Sequence, residues 1–242
     1  MVAALVGLTA LAWLYLVLRA RSMDMGGMSM PMAEIRPWGT SDFVLTFLMW
    51  SVMMVGMMVP SAMPTTLLYG GISRRAKSAG NAVAPTLIFV SGYLMAWTLF
   101  SAAATAVQGI LESRALLSPM MVSTSPVLGA GLLTLAGVYQ LTPAKRACLS
   151  HCRSPVHFIS HHWRPGNSGA LRMGISHGLF CLGCCWALML LLFVGGVMNL
   201  VWVAAIAFFV LLEKVLARGR APSWLAGASM IVAGVALLAR GG

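Results

Sequence analysis

The chain has 242 residues, 60% of them hydrophobic and 9% charged, with a formal net charge of +11. A soluble globular chain carries roughly a quarter charged residues, so this one has too little charge to cover a water-facing surface. Its excess of Lys and Arg is not laid out as a basic stripe with interleaved aromatics, so no nucleic-acid partner is expected; the lipid bilayer is.

Several apolar runs approach or exceed the ~18–20 residues that cross a bilayer as helix. They are continuous rather than alternating, which excludes a β-barrel. The expected fold class is all-α: a polytopic helical membrane protein, with residues 1–242 forming a single integral membrane domain of about seven transmembrane helices. The first span covers about 2–18. It lacks a basic leader and an evident small-residue cleavage site, so it reads as a retained helix; without it six spans remain.

A linker at 19–42 follows, holding the run Met23-Asp24-Met25-Gly26-Gly27-Met28-Ser29-Met30-Pro31-Met32. Gly26, Gly27 and Pro31 oppose a stable helix there. Thioethers bind Cu(I) without needing deprotonation, which makes Met25, Met28 and Met30 candidate ligands. The plain alternative is an exposed linker.

The second span, about 43–64, carries Met49, Met53 and Met57 at i, i+4, i+8, with Met54 and Met58 beside them. Met fills irregular cores, so packing is one reading of this stripe. The other is a thioether ladder for a soft ion. Pro60 and Pro64 are expected to kink or end the helix and to free carbonyls there.

The third span is about 83–107 and the fourth about 126–142. The segment 143–172 reads as a Cys/His loop. The fifth span is about 174–195, the sixth about 198–214 and the last about 223–239. Gln108, Gln140 and Asn199 are candidates for interhelical hydrogen bonds. Glu213 and Lys214 lie at a helix end, where snorkelling to the interface is the simpler account; a buried Glu213 would instead be an ion or proton ligand.

Arg74, Arg75, Lys77, Lys145, Arg146, Arg153, Arg164, Arg172, Lys214, Arg218 and Arg220 fall in alternate loops, eleven of the 16 basic residues. The positive-inside rule puts those loops and the N-terminus in the cytoplasm, and the C-terminus and the Met-rich linker outside the plasma (inner) membrane. Arg19 and Arg21 locally favour the reverse.

All five cysteines lie between 148 and 185 and all five histidines between 151 and 177. On a regular helix His177, Cys181 and Cys184 fall within roughly 60° of one another, and Cys185 widens the arc to about 100°. Cys148 and Cys152 are one turn apart and reach this face if the segment folds back. Three readings compete. Small free thiols pack helices. Thiolates and imidazole bind Cu(I), Zn²⁺ or an iron–sulfur cluster. Cys181-Leu182-Gly183-Cys184 is a CxxC and so a candidate thiol–disulfide couple. His151, His157, His161 and His162 read as solvated loop histidines. With five Asp and Glu in all, and no Ser-His-Asp set or P-loop, a stand-alone enzyme is disfavoured.

At these residues the chain resembles a widespread bacterial family described as predicted metal-binding integral membrane proteins, catalogued as a domain of unknown function. The matching pieces are Met49-Trp50 through Pro64, Tyr139-Gln140-Leu141-Thr142-Pro143 with Lys145, Cys148 and Cys152-Arg153-Ser154-Pro155, then His177-Gly178, Cys181, Gly183-Cys184-Cys185-Trp186, Met189, Gly196, Met198-Asn199 and Glu213-Lys214. The resemblance spans about 40–217 and implies metal binding at the Cys/His positions. The expected function is copper(I) handling through Met and Cys/His ligands, in transport, delivery or an accessory role. The alternatives are a membrane subunit of a larger metalloenzyme or redox complex, and a membrane thiol–disulfide oxidoreductase. Other membrane subunits or a metal-donating protein are expected partners.

Overall fold

A computed structural model describes residues 1–26, 38–78, 85–118, 121–215 and 219–241. Along the chain run α1 (Val2–Gly26), α2 (Thr40–Ser78), α3 (Thr86–Ser113), α4 (Pro126–Leu141), α5 (Pro143–Arg153), α6 (Pro155–His162), α7 (Gly166–Leu190), α8 (Leu192–Gly195), α9 (Leu200–Val215) and α10 (Ala221–Gly241). The fold is all-α; among the described residues strand-like pairing is confined to one bridge, between Leu117 and Ser123.

Among the described residues, five stretches are long and apolar enough to cross a membrane: Val2–Ser22, Thr40–Arg75, Thr86–Ser113, Gly166–Gly195 and Ala221–Arg240. The fourth expected span passes that test only as α4 joined to α5, a pair bent by 66°. Helix α9 has 16 residues. It rises about 24 Å, short of the ~30 Å hydrocarbon core of a bilayer. Large apolar side chains such as Leu99, Val201 and Leu225 point outward, as they do on a chain whose surroundings are themselves apolar.

Helix α2 runs for 39 residues straight through Pro60 and Pro64, which do not end it. Proline at 60 leaves the carbonyl of Gly56 without its usual amide. That carbonyl accepts a hydrogen bond from Trp13 Nε1 on α1, at 3.2 Å. The neighbouring helix thus satisfies the group that the proline frees. At roughly 58 Å the helix is longer than a bilayer core is thick, so one end, expected to be the one with Arg74 and Arg75, projects beyond it.

The segment 143–172 is helical rather than a loop. Thr142 and Ser154 precede Pro143 and Pro155, and proline at the first helical position is pre-set for a helix start. The Thr142 hydroxyl accepts from the Lys145 amide at 3.2 Å. Helix α7 then begins at Gly166, earlier than its apolar run; Gly166, Asn167 and Ser168 are exposed, and burial begins at Gly169 and Ala170.

The contacts that place the site are α3 on α7, α2 on α3, and α5 on α7. Gly92 of α3 meets the α7 backbone at Leu171–Ile175, and Gly174 of α7 meets the α3 backbone at Phe89. There is no space for a Cβ at either position, so the two helices touch backbone to backbone. This close crossing sets His177 and Cys181 against Tyr93.

Candidate metal centre

Helix α7 presents its thiols to the centre of the bundle. Cys181 is 1% exposed, and Cys152, Cys184 and Cys185 are also buried. They share one apolar cluster with Met49, Met53, Met54, Met57 and Met58. Helix α5 packs back on α7, the condition under which Cys148 and Cys152 reach this face. The half-buried Cys148 thiol fills the space that Gly183 leaves by having no side chain; a Cβ there would lie 2.8 Å from the sulfur. The thiols of Cys152 and Cys184 are in hydrogen-bonding reach of each other.

Cys181 has the richest surroundings. Lys214 Nζ donates to its sulfur at 2.8 Å, and Tyr93 Oη lies 3.1 Å from it. Lys214 also donates to Ser61 Oγ at 3.0 Å. Tyr93 donates to the Met58 carbonyl at 3.1 Å, and Ser61 donates to the same carbonyl at 2.9 Å. Four helices thus meet at one sulfur: α2 through Met58 and Ser61, α3 through Tyr93, α7 through Cys181 itself and α9 through Lys214.

Cys184 and Cys185 are arranged differently. Both donate back to the Cys181 carbonyl, at 3.0 and 2.9 Å. Such bonding along the helix satisfies a thiol and turns it away from a shared point. Among the described residues no three His, Cys, Asp or Glu side chains converge as a metal-holding group. The sulfurs are neighbours in one buried cluster, with those of Cys152 and Cys184 paired.

His177 does not join the thiols at the expected common point. It is 2% exposed and lies among aromatic rings, with centroids 5.1 Å from Phe158, 5.5 Å from Tyr93 and 6.0 Å from Phe89. Its Nδ1 is buried with no hydrogen-bond partner. An orphaned polar atom of this kind costs about 1–3 kcal/mol, which marks the position as one that awaits a partner. His157 and His161 are exposed, as expected of solvated histidines, whereas His151 and His162 are half-buried. His151 stacks on Phe180 at 4.1 Å and His157 on His161 at 4.0 Å.

Glu213 and Lys214 do not snorkel: they are 2% and 7% exposed. Glu213 binds Lys145 at 2.6 Å, with Ser223 and Gln140 as further donors. Gln140 also accepts from Lys145. Gln108 makes the expected interhelical bond, accepting from Trp50 Nε1 at 2.7 Å. Asn199 does not; its side chain accepts from the Trp202 amide at 3.2 Å and caps α9.

At the Met49 end of α2 lies a cleft of about 330 Å³, lined among others by Asp42, Met49, Gln108, Glu112 and Met121. Gln108 donates to Met121 Sδ at 3.3 Å and to Glu112 at 2.8 Å. Trp38 also binds Glu112, at 2.9 Å. Met121 lies between α3 and α4 and so belongs to no helical methionine stripe. Met25 falls in the last turn of α1, while Met28 and Met30 lie outside the described residues.

A family model described as PpoB2, copper chaperone, matches residues 47–237. The match includes the α2 methionines, all five cysteines and Lys214, and leaves out the Met-rich linker. It supports the metal relation that the sequence motifs implied, under a family other than the one they resemble. No curated protein and no solved structure matches the chain.

Proposed function

Because the chain belongs to the PpoB2 copper chaperone family, we propose that it is an integral membrane protein that takes up copper(I) and holds it at Cys181 for delivery. The single observation that carries this reading is the burial of Cys152, Cys181, Cys184 and Cys185 in one cluster with five α2 thioethers. Soft sulfur ligands select Cu(I) over the harder divalent ions. Zinc and iron–sulfur clusters fit less well, since both need thiolates converging on a closed site.

The route begins at the cleft. Its thioethers, Met49 and Met121, receive the ion beside the Asp42 and Glu112 carboxylates, which share the cleft with the Arg19 guanidinium. Met53 and Met57 follow one turn apart, about 12 Å in all along α2. Met58, next in line, touches the residues around Cys181. In the apo protein the Lys214 ammonium occupies the cation position against that sulfur. Copper displaces it, and Cys184 or Cys152 supplies a second sulfur after rotating from its present hydrogen bond. The orphaned His177 nitrogen, one turn away, is a further donor. On release the ammonium returns, so the thiolate is never left bare in an apolar core.

In the membrane orientation that supports this route, the N-terminus and the 143–172 segment are cytoplasmic, and the Met-rich linker and the C-terminus lie outside. A metal-donating protein outside and an acceptor inside are the partners such a carrier needs.

The test is elemental analysis of the purified full chain after loading with Cu(I) and desalting. We expect bound copper in the native chain and its loss in Cys181→Ser. A native chain that retains none, or a Cys181→Ser variant that retains as much, sinks the reading.

A further inference from the structure

A cavity of about 500 Å³ opens between α4, α5 and α10, away from the thiols. Arg146, Arg153 and Arg220 line it together with Gln140, Ser154 and Trp224. No acidic side chain is among the described residues of its wall. The nearest candidate, Glu213, is committed to Lys145, Gln140 and Ser223.

Arg153 shows what the cavity lacks. Its Nε donates to the Glu213 carbonyl at 2.8 Å and one terminal nitrogen to the Gly219 carbonyl at 3.4 Å. Its other terminal nitrogen, Nη2, is buried with no partner. A guanidinium carries five donors in a fixed fork that matches the oxygens of a phosphate. Here the fork is anchored on one side and empty on the other. Two more guanidinium groups face the same space. Trp224 is 57% exposed at the rim. An exposed indole of this kind sits at headgroup depth in membrane proteins.

We infer that this cavity binds the phosphate of a phosphate ester, with the half-buried Arg153 as its anchor and Arg146 and Arg220 closing over the anion. A phospholipid headgroup and a soluble phosphate offer the same chemistry. The lipid as source rests on the membrane placement proposed above; the phosphate chemistry does not. Bound there, the anion ties α5 to α10 across the bend between α4 and α5.

The experiment is native mass spectrometry of the full chain in neutral detergent with phosphatidylglycerol, with diacylglycerol as a lipid that has no phosphate, or with inorganic phosphate. Phosphatidylglycerol is expected to stay bound to the native chain and diacylglycerol to leave. Retention should fall by about tenfold or more in the R146Q/R220Q double variant, since each charge-assisted bond lost is worth about a factor of ten. Arg240→Gln, at the far end of α10, should leave it unchanged. Displacement of the lipid by inorganic phosphate assigns the phosphate group alone as ligand; resistance to displacement assigns the whole headgroup and tails. Equal retention in the native chain and R146Q/R220Q overturns the site, as does equal retention of both lipids. Arg220→Gln alone, at the exposed start of α10, provides the same comparison if the double variant fails to fold. Copper content of each variant, measured in parallel, is expected to stay native and separates failure of this site from failure of the copper reading.

Discussion

Glu213 and Lys214 are neighbours in α9, and each takes a buried charge in a different direction. Glu213 enters a closed network: Lys145 at 2.6 Å, Ser223 at 2.6 Å, and Gln140 bridging the pair. Lys214 enters an open one, in which its principal partner is a thiol that has other uses. Buried ion pairs are weak evidence of function on their own. What separates these two is whether the partner is exchangeable. A carboxylate held by three donors is a structural clamp joining α4, α5, α9 and α10. On the proposed reading, a sulfur that accepts from one ammonium is a site where one cation replaces another.

The largest expected effect breaks the clamp. Glu213→Ala strands Lys145 in an apolar interior and should destabilise the fold by about 3–5 kcal/mol, seen as a large drop in Tm in detergent. The paired change Lys145→Met with Glu213→Leu removes both charges and should recover most of that loss while copper binding persists. If the paired variant is as unstable as the single one, the clamp is more than a compensated charge pair. If it folds but loses copper, the division between the two networks is wrong.

The next effect concerns the open pair. In Lys214→Met no ammonium competes for Cys181, so a Cu(I) chelator should extract bound copper several-fold more slowly, as expected when a like charge leaves a cation site. Faster extraction would mean that Lys214 helps hold the metal rather than release it. Stability should change far less than in Glu213→Ala, because a neutral thiol leaves no buried charge without a partner.

The sequence made the apolar helices and the sulfur-rich faces legible, since both are periodic signals along single elements. The i, i+4 run of Met49, Met53 and Met57 and the shared face of Cys181 and Cys184 follow from 3.6 residues per turn. It misjudged Lys214 and Glu213 because their surroundings come from other helices: Ser61, Tyr93, Lys145 and Ser223 are far away in the chain. A charge at the end of an apolar run looks the same whether it reaches water or a buried partner. The 143–172 segment was misread for a related reason. Its polar composition and prolines resemble a loop, but each proline stands where a helix starts. His177 lies on the correct face of α7, yet the ring-rich wall of Phe89, Tyr93 and Phe158 that surrounds it is visible only in three dimensions.

A smaller effect separates packing from relay in α2. Met53→Leu and Met57→Leu conserve volume, so each should cost under about 1.5 kcal/mol in stability. If the stripe is only core, copper loading in these variants will match the native chain. If it is a path, the final amount bound at Cys181 stays the same while the rate of loading from a Cu(I) donor falls, most in the double variant. Rate and amount must be read together, because a Cys181 defect lowers the amount and a path defect lowers only the rate. Met49→Leu should behave like the others but also weaken the first capture, since Met49 lines the entry cleft as well as the stripe. An unchanged rate in all three would leave Cys181 reached by some other way, and would return the α2 methionines to the role of core packing.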